Sequence, residues 1–118
     1  MRHKNGRKKL NLKGPHRLAL LRNQVIQLID KGHLVTTRAH IKEVQRIAEK
    51  LVTIARDGNN FNARRHVKSL LPYKEETVIK LFKEIAPKYT DRPGGYTRTI
   101  PMAQRISDTA KISRLEWV

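Results

Sequence analysis

No carboxylate occurs before Asp30. Over the same stretch the chain places Arg2, Lys4, Arg7, Lys8, Lys9 and Lys13 within its first thirteen residues, followed by Arg17 and Arg22. A segment so one-signed has no internal counter-charge, and collapsing it on itself works against Coulomb repulsion. Besides Met1 it offers only Leu10 and Leu12 as large apolar residues up to Lys13, too little to offset the ordering of its own backbone. Residues 1–13 therefore read as a basic extension that becomes ordered against phosphates. The plainer alternative is a solvated terminus, and the charge of the whole chain weighs against it. Lys and Arg number 26 against 10 Asp and Glu, a net +16 where a small soluble surface carries roughly 2–8.

The remainder, residues 14–118, has the length of one domain and the material for a core. Leu, Ile, Val and Phe make up about a quarter of the chain, above the ~20 % level that marks disorder. Gly14-Pro15 punctuates the start, and proline is tolerated in a first helical turn. Leu18, Leu21, Val25, Leu28 and Ile29 recur at helical spacing, and Gly32 stops the helix. Those five side chains read as core rather than a cofactor box, since burying them stabilises by about 10 kcal/mol gross. His33-Leu34-Val35-Thr36-Thr37 suits a short strand, and Thr37 can cap the next helix through its side-chain oxygen.

That second helix presents Ile41, Val44, Ile47, Ala48, Leu51, Ile54 and Ala55 inward and ends at Gly58. Its opposite face mixes Lys42, Glu43, Gln45, Arg46, Glu49 and Lys50, and reads as solvated. Asn59 or Asn60 caps a third helix through Ala63, Val67, Leu70 and Leu71, closed by Pro72. A fourth runs from about Lys74 to Ile85, with Pro87 beyond its end and Glu75 and Glu76 complementing its positive terminus. Tyr96 to Ile100 and Ile112 to Val118 then read as two antiparallel strands, joined by a turn at Ser107-Asp108-Thr109 and accompanied by the strand after Gly32. The expected class is α+β, a mixed α/β fold: about four helices on a small three-stranded, mostly antiparallel sheet.

Several functions are excluded on residue chemistry. Cysteine is absent, which removes disulfides, Cys-based zinc sites and thiol nucleophiles. His3, His16, His33, His40 and His66 show no HxxxH or HxH spacing, so no metal site is expected. There is no Walker-type loop, and the scattered acids supply no paired carboxylates, so neither an enzyme nor a cofactor is expected. An apolar run of ~18 residues, or a basic start followed by a continuous apolar stretch, would suggest a membrane or secretion; neither occurs, and the cytoplasm is the expected location.

The most specific segment is Asp91-Arg92-Pro93-Gly94-Gly95-Tyr96-Thr97-Arg98. Pro-Gly is the natural centre of a type II turn, and the second glycine lets the backbone approach a partner closely. Arg92 and Arg98 can grip phosphates, while Tyr96 can stack on a base or pack beneath the turn. The connection from Gly32 to Thr37 is too long and too β-branched for the 3–4-residue turn of a helix-turn-helix. A basic extension on a compact body suits a folded RNA better than duplex DNA or a membrane. Two other classes stay open at this level: a nucleoid-type DNA-binding regulator and an RNA-processing enzyme.

Met1-Arg2-His3-Lys4, Gly6-Arg7-Lys8-Lys9-Leu10 and His16 to Asn23 together resemble the bacterial large-subunit ribosomal protein family seventeen. Val35-Thr36-Thr37, Phe82 to Tyr89 and above all Arg92-Pro93-Gly94-Gly95-Tyr96-Thr97-Arg98 follow in the same order, so the resemblance spans essentially the whole chain. It implies a non-catalytic constituent of the large subunit that binds large-subunit ribosomal RNA. It also implies a place on the outer side near the nascent-chain exit, beside other ribosomal proteins, with a cytoplasmic or organellar ribosome as its setting. No small-molecule substrate, membrane or obligate homo-oligomer is implied. Carried onto this chain, the RNA-contacting residues are Arg2, His3, Lys4, Arg7, Lys8, Lys9, Asn11, Lys13, His16, Arg17, Arg22, Arg92, Tyr96 and Arg98. Two departures are visible. Gly14-Pro15 replaces the family's usual Ser-Ser, and Arg105-Ile106-Ser107-Asp108 replaces its doubled arginine before Gly-Asp.

Overall fold

A computed structural model of the protein describes residues 9–58, 60–72 and 74–118. Helix α1 (Gly14–Lys31) leads into strand β1 (His33–Thr37), and helix α2 (Arg38–Ala55) follows directly. Helices α3 (Phe61–Leu70) and α4 (Glu75–Lys80) come next, then strands β2 (Thr97–Gln104) and β3 (Lys111–Trp117). The sheet is antiparallel throughout, in the order β1-β3-β2. Four helices and three strands in this arrangement are the α+β class read from the sequence.

Two periodicities explain how the layers meet. On the sheet, alternate residues share a face. Leu34 pairs with Leu115, Thr36 with Ser113 and Thr97 with Trp117, and this face lies against the helices. Val35, Arg98 and Ile100 lie on the other face and are exposed. On α2, Ile41, Val44, Ala48, Leu51, Val52 and Ala55 are buried, and the helix packs on all three strands. Leu21, Val25, Leu28 and Ile29 of α1 close the core from the side. Leu18 departs from its expected place: it is 46 % exposed, because the first turns of α1 run beside a groove and not over the core.

The helix ends are treated differently. Gly32 ends α1 at φ +83°, its N–H donating to the Leu28 carbonyl at 2.9 Å. Asn60 caps α3 by accepting the Ala63 N–H at 2.8 Å. Thr37 does not cap α2 as expected; its hydroxyl is shared with His40 Nδ1 instead. The two long helices thus begin with no side-chain cap and no acid in the first turn, whereas α4 carries Glu75 and Glu76.

The α-helix α4 is shorter than expected, but the winding continues beyond it with a change of pitch and runs past Ile85. After Lys80 the winding widens to a π turn over Leu81–Ile85, where the Ala86 N–H reaches back to the Leu81 carbonyl, and then tightens to a 3₁₀ turn over Ala86–Tyr89. Proline lacks an N–H and collides with the carbonyl four residues back in an α-helix, so Pro87 cannot continue the regular pattern. The change of pitch keeps the chain winding through it. It also turns Leu81, Phe82, Ile85, Ala86 and Tyr89 into the core.

Candidate nucleic-acid interface

Leu10 and Asn11 occupy the left-handed region at φ +57° and +54°, within a turn in which the Leu12 N–H donates to the Lys9 carbonyl at 3.2 Å. Asparagine tolerates this conformation and leucine does not readily. Leu10 is packed against the core, and that contact offsets its backbone strain. The turn sets Lys9 at the mouth of a groove of about 550 Å³ between α1 and α2.

Five cations line the groove: Lys9, Arg17, Arg22, Arg46 and Lys50. Its apolar floor includes Leu18, Leu21 and Ile47. Among the described lining residues Glu43 is the one carboxylate; it is 7 % exposed and pairs with Arg46 at 3.4 Å. Arg22 also donates to the Ser69 carbonyl at 3.4 Å, near the end of α3, where unsatisfied carbonyls attract cations. A concave surface with five positive charges against one negative focuses field outward and suits an anionic strand.

The structure divides the sequence-derived candidates into groups. Lys9, Arg17 and Arg22 meet in the groove, with Lys13 and His16 exposed at the start of α1 and Asn11 exposed in the preceding turn. Arg2, His3, Lys4, Arg7 and Lys8 lie outside the described residues. Arg92 and Arg98 are elsewhere. Arg98 lies on the exposed face of the sheet and pairs with Glu116 at 3.4 Å. The Arg92 carbonyl accepts a hydrogen bond from Arg56 at the end of α2. Arg92 also lies near Tyr89: burial pushes the Tyr89 hydroxyl above its ordinary 10.0, and the positive charge of Arg92 opposes that rise.

For Tyr96 the expectation of an RNA contact is corrected. The residue is 1 % exposed, with its ring 5.3 Å from that of Tyr89 and its hydroxyl accepting from Arg56 Nη1 at 3.0 Å. The ring packs beneath the loop and is not presented to a base. The turn chemistry differs as well. The left-handed residue is Gly95 at φ +63°; Gly94, at φ +156°, lies far from the value near +80° that a type II turn needs. Chain neighbours aside, no atom of the described residues lies within 4 Å of where a Cβ would sit on either glycine, so the loop's backbone is open on that side.

Sequence reasoning also missed residues. The polar face of α2 is not simply solvated: Glu43 is buried, and Gln45 and Glu49 are tied to the β2 residue Thr97 at 3.0 and 2.9 Å. Arg46 and Lys50 belong to the groove. Their i, i+4 spacing was the available signal, because residues four apart share a helix face.

Among the described residues no cluster of His, Asp or Glu could hold a metal ion, and no helix is long and apolar enough to cross a membrane. The fold and its basic groove thus define a small α+β protein whose surface carries a concave cluster of five cations beside one carboxylate. The chain belongs to the ribosomal protein L17 family, whose model matches residues 20–118. It is similar over its full length to proteins named large ribosomal subunit protein bL17. That of Helicobacter acinonychis is 47 % identical and that of Sulfurovum sp. (strain NBC37-1) 46 %, each covered over 100 % of both chains. That of Trichlorobacter lovleyi is 42 % identical, covering 100 % of this chain and 94 % of its own. The family is one of structural, non-catalytic ribosomal proteins.

Proposed function

We propose that this protein is a structural constituent of the large ribosomal subunit that binds large-subunit ribosomal RNA by neutralising phosphates and matching their shape. The observation that carries the reading is the convergence of Lys9, Arg17, Arg22, Arg46 and Lys50 on one groove in a chain of this family. The basic residues Arg2, Lys4, Arg7, Lys8 and Lys13, with His3, Asn11 and His16, extend the same interface, and Arg92 and Arg98 form a separate one around the open glycine loop. Neighbouring ribosomal proteins complete its surroundings on the nascent-chain exit side, and the ribosome of the cytoplasm is its place of work. A DNA-reading helix-turn-helix is disfavoured: the segment between α1 and α2 is strand β1, hydrogen-bonded to β3 along its length.

The test is the salt dependence of affinity for a large-subunit rRNA fragment. With about eight phosphates engaged, log affinity should fall with log salt at a slope of roughly −6 to −7. Changing Arg17 and Lys50 to Gln should make the slope shallower by about 1.5. A wild-type slope near zero, or free migration of the protein away from large subunits in a moderate-salt gradient, would contradict the reading.

A further inference from the structure

A second basic concavity lies beside the first turns of α2, and no residue expected to bind RNA lines it. It is a cleft of about 480 Å³ between the first turns of α2 and the end of the β2–β3 hairpin. The hairpin opens there for a local reason. Pro101 pairs with Ser113 and Gln104 with Lys111, so Met102 and Ala103 oppose Ile112 alone. Two residues against one is a bulge, which bends the strand away from its partner.

Arg38, Lys42 and Lys111 line this cleft, and among the described residues no carboxylate does. None of the three makes an ion pair with a described residue, unlike Lys68, Lys74, Arg98 and Arg105, each of which has an acidic partner. Ser113 provides an independent sign of a ligand. It is 3 % exposed, it lines the cleft, and its hydroxyl has no hydrogen-bond partner among the described residues. Its oxygen keeps some accessible surface, and an anionic oxygen entering the cleft would give it a partner. The start of α2, with neither cap nor acid, adds its positive end to the same place.

The arrangement of cations favours a strand over an isolated ion. Arg38, Lys42, Arg46 and Lys50 fall at successive i+4 positions, all exposed, along one ridge of α2. At the rise of an α-helix they recur about every 6 Å. The ridge begins in the cleft and ends in the α1–α2 groove. We propose that the cleft holds a phosphodiester of the bound RNA, with Arg38, Lys42 and Lys111 as cations and Ser113 as hydroxyl donor, and that the ridge carries the same strand on to the groove. This rests on the RNA-binding reading above.

Lysine acylation of the full-length protein, read by mass spectrometry with and without a large-subunit rRNA fragment, tests the placement directly. Lys42 and Lys111 should be protected by the RNA; full reactivity of both in the complex overturns the proposal. Protection that appears only in assembled subunits, and not with the RNA alone, assigns the cleft to a protein neighbour and overturns it too. In the salt series, R38Q/K42Q/K111Q should make the slope shallower by about 0.7 to 0.9, the share of the one phosphate held in the cleft. Ser113→Ala should lower affinity about three- to tenfold, with the thermal midpoint held. A steep wild-type slope left unchanged by the triple variant refutes the cleft alone, whereas a flat wild-type slope refutes the RNA reading beneath it.

Discussion

Asp30, the first carboxylate in the chain, accepts a hydrogen bond at 3.0 Å from the hydroxyl of Thr77, which is 1 % exposed. Its other oxygen accepts from Lys74 Nζ at 3.3 Å, and its main-chain carbonyl from Lys80 Nζ at 2.7 Å. The end of α1 is thereby tied to α4 across 47 residues of sequence. The acid-free run stops where the fold needs its first acceptor.

Asp30→Ala should destabilise the protein by about 1–3 kcal/mol, because it leaves the buried Thr77 hydroxyl without its partner. Urea unfolding should show a lower midpoint at an unchanged slope. Replacing Thr77 with Val in the same chain should recover part of the loss, since no orphaned hydroxyl then remains. A double variant no better than Asp30→Ala would show that the pair is not coupled.

Tyr96 is a support for its loop. Tyr96→Phe removes the hydroxyl that accepts from Arg56 and Thr53, and should cost about 0.5–1.5 kcal/mol. Its salt slope with rRNA should match the wild type. Tyr96→Ala opens the core beside Tyr89 and should cost about 3–5 kcal/mol in thermal or urea unfolding. Loss of RNA affinity in the Phe variant greater than its loss of stability explains would return the ring to the interface.

Gly95 tests the backbone alone. It sits at φ +63°, and apart from its chain neighbours no atom of the described residues lies within 4 Å of the place that a methyl group would take. Gly95→Ala therefore meets no clash and should cost about 1–2 kcal/mol through the left-handed conformation only. A loss above that range, measured by urea unfolding, would mean that the loop changes shape to accommodate the methyl group.

The β2–β3 turn carries a pH dependence. Arg105 grips Asp108 by two hydrogen bonds, Nε to Oδ1 at 2.9 Å and Nη2 to Oδ2 at 2.6 Å, and the Ala110 N–H donates to the same carboxylate at 3.1 Å. These donors, the Arg105 side chain foremost, lower the Asp108 pKa from its ordinary 3.8 to about 2. A depressed carboxylate stabilises the folded form fully above the unfolded value, and that contribution is lost as pH falls through about 2. The carboxyl carbon of Asp108 should titrate by NMR near 2 in the folded protein, and near 3.8 in Asp108 of an unfolded peptide. A folded midpoint near 3.8 would mean that the Arg105 contacts do not persist in solution.

The parts of the fold that local pattern reveals were legible. The inward stripes of α1 and α2, the stop at Gly32, the Asn60 cap and the alternation of Ser113, Leu115 and Trp117 depend on neighbours within a turn or a strand pair. Thr37 was misread because its hydroxyl had two local partners and took the His40 ring over the backbone. The winding continues past the end expected at Ile85, as a 3₁₀ turn through Pro87, because burial of Ala86 and Tyr89 outweighs the loss of regular α geometry.

The interface was legible as composition but not as a surface. Charge patterning picked out Lys9, Arg17 and Arg22 because they sit in a run without acids. Arg46 and Lys50 stand beside Glu43 and Glu49, and in one dimension the charges cancel. Packing turns the acids away from the outer face: Glu43 is drawn into the interior while paired with Arg46, and Glu49 turns to β2 and accepts from Thr97. What remains outward on that helix is a ridge of cations. The sequence by itself determined that this chain carries a large uncompensated positive charge and which helices and strands it can form, because both follow from residue chemistry and short-range periodicity. Only the tertiary structure decided which cations face outward together, because the orientation of each acid on α2, Glu43 turned inward and Glu49 turned toward β2, is set by packing against distant strands, and no local pattern records it.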